Sequence, residues 1–322
     1  MIKNVVFMGT PDFAVGTLQA LIAAEQYHVQ AVFSQPDKPK GRGKALQMTP
    51  VKKVAAEAGI PVYQPVKIRE EQWLEVLREL SPDVIVVVAF GQIIPKTILE
   101  LPRYGCINVH ASLLPKYRGA APIQWAVLNG EKESGVTTMR MDTGLDTGDM
   151  IMKETVVLAE DETGGSLFDK LSVTGAELLI RTLDAISAGN AQYEKQPKES
   201  PTPYAGMLTK KDGLIDWNKS AEQIECLIRG LNPWPSAYTK YRGKTLKLWA
   251  ALAEPDDGAL GAQGEDCAGR AAVVSKDALK IRTGNGLLSV KELQPEGKKR
   301  MTVDAFLRGY PVGCGELFGE RS

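Results

Sequence analysis

The sequence predicts an α/β protein: an open, mostly parallel sheet domain, then a linker, then a small C-terminal β-barrel. Three observations carry this. Across residues 2–188, apolar β-branched runs alternate with segments of helical period, as expected of strands joined by helical crossovers. Residues Gly189–Gly206 are proline-rich and carry no hydrophobic periodicity. Beyond them short alternating segments dominate, and Gly284-Asn285-Gly286 marks a hairpin. The expected boundaries are 1–189 for the sheet domain, 190–207 for the linker and 208–322 for the barrel.

The elements follow in order. Residues 2–8 read as a buried strand. A turn at Gly9-Thr10-Pro11-Asp12 places Thr10 or Asp12 to cap a helix over 13–24, where Phe13, Leu18, Leu21 and Ile22 recur at helical spacing. A strand is expected at 29–33. Ser34–Pro50, rich in Pro, Gly and Lys, reads as a long irregular loop. Helices are expected at 51–58 and at 70–80, where Trp73, Leu74, Leu77 and Leu80 share one face. Val84–Ala89 is a continuous apolar run, as in a parallel strand covered on both sides. Cys106–Val109 forms a strand leading into His110. A helix over 120–129, strands at 135–141 and 150–158, and a long helix over 163–188 complete the sheet domain. In the barrel, strands at 245–249, 271–275, 278–283 and 287–293 accompany one helix over 220–231.

Composition narrows the function. With 39 Lys and Arg against 39 Asp and Glu, the formal net charge is zero. That excludes a protein holding nucleic acid by bulk attraction alone and leaves room for a local basic patch. The longest uncharged apolar run, Val84–Gly91, falls far short of the roughly 20 residues of a membrane helix. The Gly9–Asp12 turn interrupts the first apolar stretch before a signal peptide could form. Cys106, Cys226, Cys267 and Cys314 lie far apart without a CxxC, so neither a zinc site nor a disulfide framework is expected, and a reducing cytoplasm fits best. With His28 and His110 the only histidines, no multi-histidine metal site is expected. His28 and Pro255–Gly269 read as surface features.

Chemistry concentrates in Asn108-Val109-His110-Ala111-Ser112-Leu113-Leu114-Pro115. Strand alternation points Asn108 and His110 the same way, at the carboxyl end of a parallel strand, where open α/β sheets hold ligands. An amide beside an imidazole can donate to a developing oxyanion and accept a proton from an attacking amine. A lone histidine after a strand is more often a surface or capping residue. Two features argue otherwise: Ser-Leu-Leu-Pro breaks the strand sharply, and a second constellation lies downstream. That constellation, Met141-Asp142-Thr143-Gly144-Leu145-Asp146-Thr147-Gly148-Asp149, is an irregular loop between strands. Its central Asp146 could orient His110 and favour the charged ring, while Asp142 and Asp149 suit Asx turns. Cys106 is expected to face away from Asn108 or to be buried, in a packing role.

Together, Asn108-x-His110-x-Ser112-Leu113-Leu114-Pro115 and Leu145-Asp146-Thr147-Gly148-Asp149 resemble the folate-dependent formyltransferases. The resemblance implies a Rossmann-like sheet, 10-formyltetrahydrofolate as formyl donor, and an Asn108, His110 and Asp146 catalytic set. It also implies a folate pocket lined by backbone around Ser112, Leu113, Leu114 and Pro115 and around Phe90, Gly91, Ile93 and Ile94. Gly9–Ala14, Arg118–Gln124, Asn232-Pro233-Trp234-Pro235 and Gln294–Lys299 extend the likeness over nearly the whole chain to the methionyl-tRNA formyltransferase family. That implies an OB-like C-terminal barrel that binds initiator methionyl-tRNA, the α-amino group of the methionine as acceptor, and a monomer without membrane or metal. An amino-sugar-nucleotide formyltransferase and a formyltetrahydrofolate hydrolase are the alternatives. The stretch Gln35–Lys44 fits the tRNA reading on its own account, because its cations Lys38, Lys40, Arg42 and Lys44 sit among glycines and prolines and can reach phosphates. Lys298 and Lys299 are the matching contacts on the barrel.

Overall fold

The computed structural model describes residues 1–40, 45–256 and 267–319. In chain order the elements are β1 (Asn4–Gly9), α1 (Phe13–Ala23), β2 (His28–Phe33), β3 (Lys38–Lys40), β4 (Ala45–Gln47), α2 (Pro50–Glu57), β5 (Val62–Tyr63), α3 (Glu71–Leu80), β6 (Val84–Val88), α4 (Lys96–Leu99) and β7 (Cys106–His110). There follow α5 (Pro122–Leu128), β8 (Glu133–Arg140), β9 (Asp149–Val157), α6 (Gly164–Ala188), α7 (Ala221–Gly230), β10 (Ala237–Tyr241), β11 (Lys244–Glu254), β12 (Ala271–Val274), β13 (Leu279–Arg282), β14 (Leu287–Pro295), β15 (Met301–Thr302) and α8 (Val303–Gly309). They form two compact units. One comprises Met1–Pro122, Glu133–Val157 and Phe168–Ala205, and the other Ile123–Lys132, Leu158–Leu167 and Gly206–Ser322. Among the described residues no helix is long and apolar enough to cross a membrane.

The first unit is built on a seven-stranded sheet in the order β5-β2-β1-β6-β7-β8-β9. The strands from β5 to β7 run parallel, and β8 and β9 add antiparallel at the edge. Period two sorts the side chains. Val6, Met8, Ala31, Phe33, Ile85, Val87 and Cys106 face one side, where Leu74 and Leu77 of α3 and Ile98 and Leu99 of α4 cover them. Trp73 and Leu80 join this core half-buried, as the shared face of α3 requires. On the other side Phe13 of α1 meets Phe168 of α6 edge to face at 5.4 Å, and Ser172 donates to the Phe13 carbonyl.

Two local expectations change. Neither Thr10 nor Asp12 caps α1. Asp12 already has helical backbone angles (φ −52°, ψ −34°), whereas a capping side chain needs an extended residue. The Thr10 hydroxyl instead donates to the Phe90 carbonyl at 3.1 Å. Within Ser34–Pro50, β3 and β4 pair as an antiparallel ribbon, Pro39 opposite Leu46. Lys-Pro-Lys has no strand periodicity, so the ribbon leaves no pattern to read. The helix after it starts cleanly: the Thr49 hydroxyl accepts from the Lys52 amide and Pro50 opens α2.

The second unit is an antiparallel sheet in the order β10-β11-β14-β13-β12, with β15 added on β14. The expected hairpin joins β13 to β14 around Gly284–Gly286. Residues 315–319 complete it. Ala271 exchanges main-chain bonds with Gly315 and Glu316, the Phe318 amide donates to Gly269, and the Gly319 amide donates to Lys240. The tail thus bonds to both ends of the strand order and closes the sheet into a barrel. Its anchor is Phe318, fully buried and stacked on Tyr241 at 4.7 Å. Trp217, Ile281, Leu288 and Phe306 fill the same core.

Candidate active site

β7 brings a carboxamide and an imidazole in beside the wholly apolar β6. Cys106, Asn108 and His110 alternate onto one face, so Cys106 shares the face of Asn108 rather than opposing it. It is buried, and burial pushes its thiol up to about 12, which keeps it protonated and confines it to packing. Across the strands Asn108 lies in register with Val87 and Met139, and the row continues through Met8 and Phe33 on one side and Met150 on the other. Asn108 is the one polar member of that row and is only 8% exposed. Its carboxamide makes no hydrogen bond among the described residues. Its amide atoms are not among those wholly shut off from solvent, so the carboxamide stands open to a polar ligand.

His110 stands one step further along. Its Nε2 is 3.0 Å from the Tyr117 carbonyl oxygen. A carbonyl can only accept, so the ring hydrogen sits on Nε2 and, in the neutral ring, Nδ1 is the free acceptor. Nδ1 faces the Asp146 carboxylate at 3.8 Å. Asp146 adopts a left-handed backbone (φ +54°), and its Oδ2 accepts from the Gly119 amide at 2.9 Å. Gly119 has φ +130°, and a Cβ there would lie 2.6 Å from the Ala205 carbonyl, so the position that feeds this amide to Asp146 admits only glycine. Asp142 closes the loop on itself, accepting from the Gly144 amide and the Thr147 hydroxyl, as an Asx turn does. Asn108, His110 and Asp146, separated in the chain, thus converge at one rim of the sheet.

The other expected residues are placed as follows. Ser112 is fully buried, and its hydroxyl donates to the Lys116 carbonyl, shaping the loop after β7. Leu113 and Pro115 are half-buried, and Leu114 packs with Met139 and Met150. Phe90 and Ile94 belong to the sheet core, while Gly91 and Ile93 are exposed, Ile93 to 79%. Lys38 is exposed, Lys40 lies in β3, and Arg42 and Lys44 fall outside the described residues. The root of the ribbon is fixed by Lys52, which reaches Asp37 at 2.6 Å and Gln64 at 2.7 Å. Burial pushes the Asp37 carboxyl up, but the hydrogen bonds from Lys52 and Gln64 outweigh it and hold the group below the usual carboxylate range.

In the second unit, Lys298 and Lys299 are exposed in the turn between β14 and β15. Beside them is a residue the sequence did not single out. Trp249 has Lys247 Nζ at 5.5 Å and Arg300 Cζ at 5.3 Å from its ring centre, and its indole donates to Gln294. Within an alternating strand it reads as an ordinary aromatic. Two further residues went unremarked as site residues in the first unit. Arg118 was visible only as part of a motif, and Gln196 sits in a stretch without periodicity. Gln196 donates to the carbonyls of Asp146 (2.9 Å) and Gly148 (2.7 Å), and Arg118 donates to Gln196.

Comparison with known proteins gives the family. The family model described as formyl transferase matches residues 3–183, and the model of the formyl transferase C-terminal domain matches residues 207–311. A protein of Agathobacter rectalis named methionyl-tRNA formyltransferase is 58% identical over 317 residues, covering 98% of this chain and 99% of its own. One of Lachnospira eligens with the same name is 55% identical over 318 residues, covering 98% of this chain and 100% of its own. Among solved structures, an N-formyltransferase of Helicobacter canadensis, in complex with folinic acid and dTDP-3-aminofucose, shares the fold at a TM-score of 0.66 and 20% identity, covering 94% of this chain and 100% of its own. Matched by family models in both its parts and by relatives along almost its full length, the chain belongs to the formyl transferase family.

Proposed function

We propose that this chain transfers the formyl group of 10-formyltetrahydrofolate to the α-amino group of methionyl-initiator-tRNA. The observation that carries the reading is identity of 58% and 55%, over 98% of the chain, to relatives named methionyl-tRNA formyltransferase. In this reading residues 1–189 are the catalytic domain, 208–322 bind the tRNA, and the enzyme works as a cytoplasmic monomer.

The folate carrier, when bound, supplies a formyl carbon activated by its nitrogen. The chain's own residues supply the rest. The unpartnered carboxamide of Asn108 fits as a donor to the oxygen that gains charge during attack. His110, with its hydrogen on Nε2, accepts at Nδ1 the proton released by the attacking amine and returns it to the departing nitrogen. Asp146 balances the imidazolium formed in between. A free α-amino group has a pKa of about 7.7–8.0, so a substantial part of the acceptor is neutral near pH 7 and the site need only position it and carry one proton. Lys38, Lys40, Arg42 and Lys44 are the proposed phosphate contacts of the ribbon, and Lys298 and Lys299 those of the barrel.

The assay offers formyl-folate together with charged initiator tRNA, free methionine or an amino sugar. N-formylation of the charged tRNA alone is expected. Formylation of the sugar with none on the tRNA, or release of free formate in its place, overturns the reading. Affinity for the tRNA should fall steeply as salt rises, because the contacts displace counterions from phosphate.

A further inference from the structure

We propose that Gln196, aimed by Arg118, positions Asp146 against His110 and thereby sets the state of the imidazole from outside the reacting groups. The inference deepens the functional reading above and rests on it only where turnover is the readout.

Arg118 is a cation 7% exposed. Its guanidinium donates to a carboxamide and two carbonyls: Nε to Gln196 Oε1 at 3.0 Å, Nη2 to Pro197 O at 2.8 Å and Nη1 to Lys198 O at 3.3 Å. A buried cation met by neutral acceptors is costly, so a fold that keeps one uses its geometry. Here the geometry decides which way Gln196 points. Because Arg118 can only donate, the carboxamide oxygen must face it, and the amide nitrogen must face away. That nitrogen meets the carbonyls of Asp146 and Gly148 at 2.9 and 2.7 Å. Asp146, with its left-handed backbone, is therefore gripped twice: by Gln196 at its carbonyl and by Gly119, the neighbour of Arg118, at its carboxylate.

The same proline-rich stretch also holds the other partner of His110. The Tyr117 amide donates to Thr202 Oγ1 at 2.7 Å, the Ser200 hydroxyl donates to Pro115 O at 2.9 Å, and Ala205 donates to Arg118 O at 2.8 Å. Glu194 exchanges two main-chain bonds with Met150 at the start of the stretch. Residues 194–205 thus fix both groups that face the imidazole, the Asp146 carboxylate at Nδ1 and the Tyr117 carbonyl at Nε2. Each depends on hydrogen bonds from a segment that itself touches neither ring nitrogen.

The test is Gln196→Glu. It preserves size and the acceptor for Arg118 but sets a carboxylate oxygen against two carbonyls. We expect kcat to fall about 10- to 100-fold, with KM for methionyl-tRNA changing less than about 2-fold. With only two histidines in the chain, nitrogen NMR separates their rings. The His110 signals should shift in Gln196→Glu while those of exposed His28 stay. In an Asp146→Ala background, adding Gln196→Glu should cost less than about 2-fold more, since the route runs through Asp146. Equal losses in both backgrounds, or unmoved His110 signals, overturn the proposal. Should Gln196→Glu not fold, Arg118→Lys, which keeps the charge but loses the three-way fork, is read in the same way. If the wild-type chain formylates no methionyl-tRNA, the functional reading fails, while the ring signals still decide the positioning.

Discussion

A carboxamide with no protein partner matters more to turnover than to folding, and Asn108 separates the two. Removing one oxyanion donor typically costs about 10²–10³ in turnover. Asn108→Ala should therefore lose at least about 100-fold in kcat. Its melting temperature should change little, because the carboxamide makes no hydrogen bond to the described residues that the substitution would break. Near-normal turnover in a folded variant would take Asn108 out of the chemistry. Cys106, two residues earlier, makes the contrasting case. Its thiol is pushed up by burial, so a thiol-alkylating reagent at pH 8 should modify exposed Cys314 and leave Cys106 untouched, as mass spectrometry of the native protein would show. Modification of Cys106 at a comparable rate would mean that β7 opens.

At the level of elements, β1 is held at its start by Asp83, whose Oδ2 accepts from the amides of Lys3 and Asn4, both at 2.8 Å. Burial pushes this carboxyl up, but those two amides outweigh it and hold it below its ordinary value of 3.8. A carboxyl lowered by folding stabilises fully above its unfolded value and loses that contribution as pH falls through the folded one. Asp83→Ala should cost about 1–3 kcal/mol near neutral pH, and its deficit against wild type should shrink below about pH 3.8, as urea titrations across pH would record. A deficit independent of pH would refute the charged interaction. The elements also show what periodicity can and cannot convey. Val84–Val88 and the shared face of Trp73, Leu74, Leu77 and Leu80 were legible because burial on a regular element imprints a period. The convergence of Asn108 and His110 followed from alternation along β7, and the part of Asp146 from a motif. The ribbon of β3 and β4 and the role of Gln196 were not legible. The ribbon rests on local main-chain pairing, and Gln196 on side-chain bonds to the main-chain carbonyls of a distant loop, and neither leaves a pattern in side-chain polarity. The missing cap at α1 has a related cause: a residue suited to capping tells nothing of its own backbone angles.

On the scale of the whole molecule, the two units stand on separate cores, and the second depends on its tail. Phe318 is fully buried against Tyr241 in the core that holds Trp217. Phe318→Ala should destabilise the barrel by about 3–5 kcal/mol, read from the urea midpoint of tryptophan fluorescence. A loss below about 1 kcal/mol would show that the sheet closes without its tail. The order of synthesis gives that closure a timetable. At about 5–20 residues per second, residue 319 follows residue 237 out of the ribosome after roughly 4–16 s. Until then β10, and β12 once residues 271–274 have been made, are strand edges without the tail, and bare edges invite pairing with a neighbouring chain.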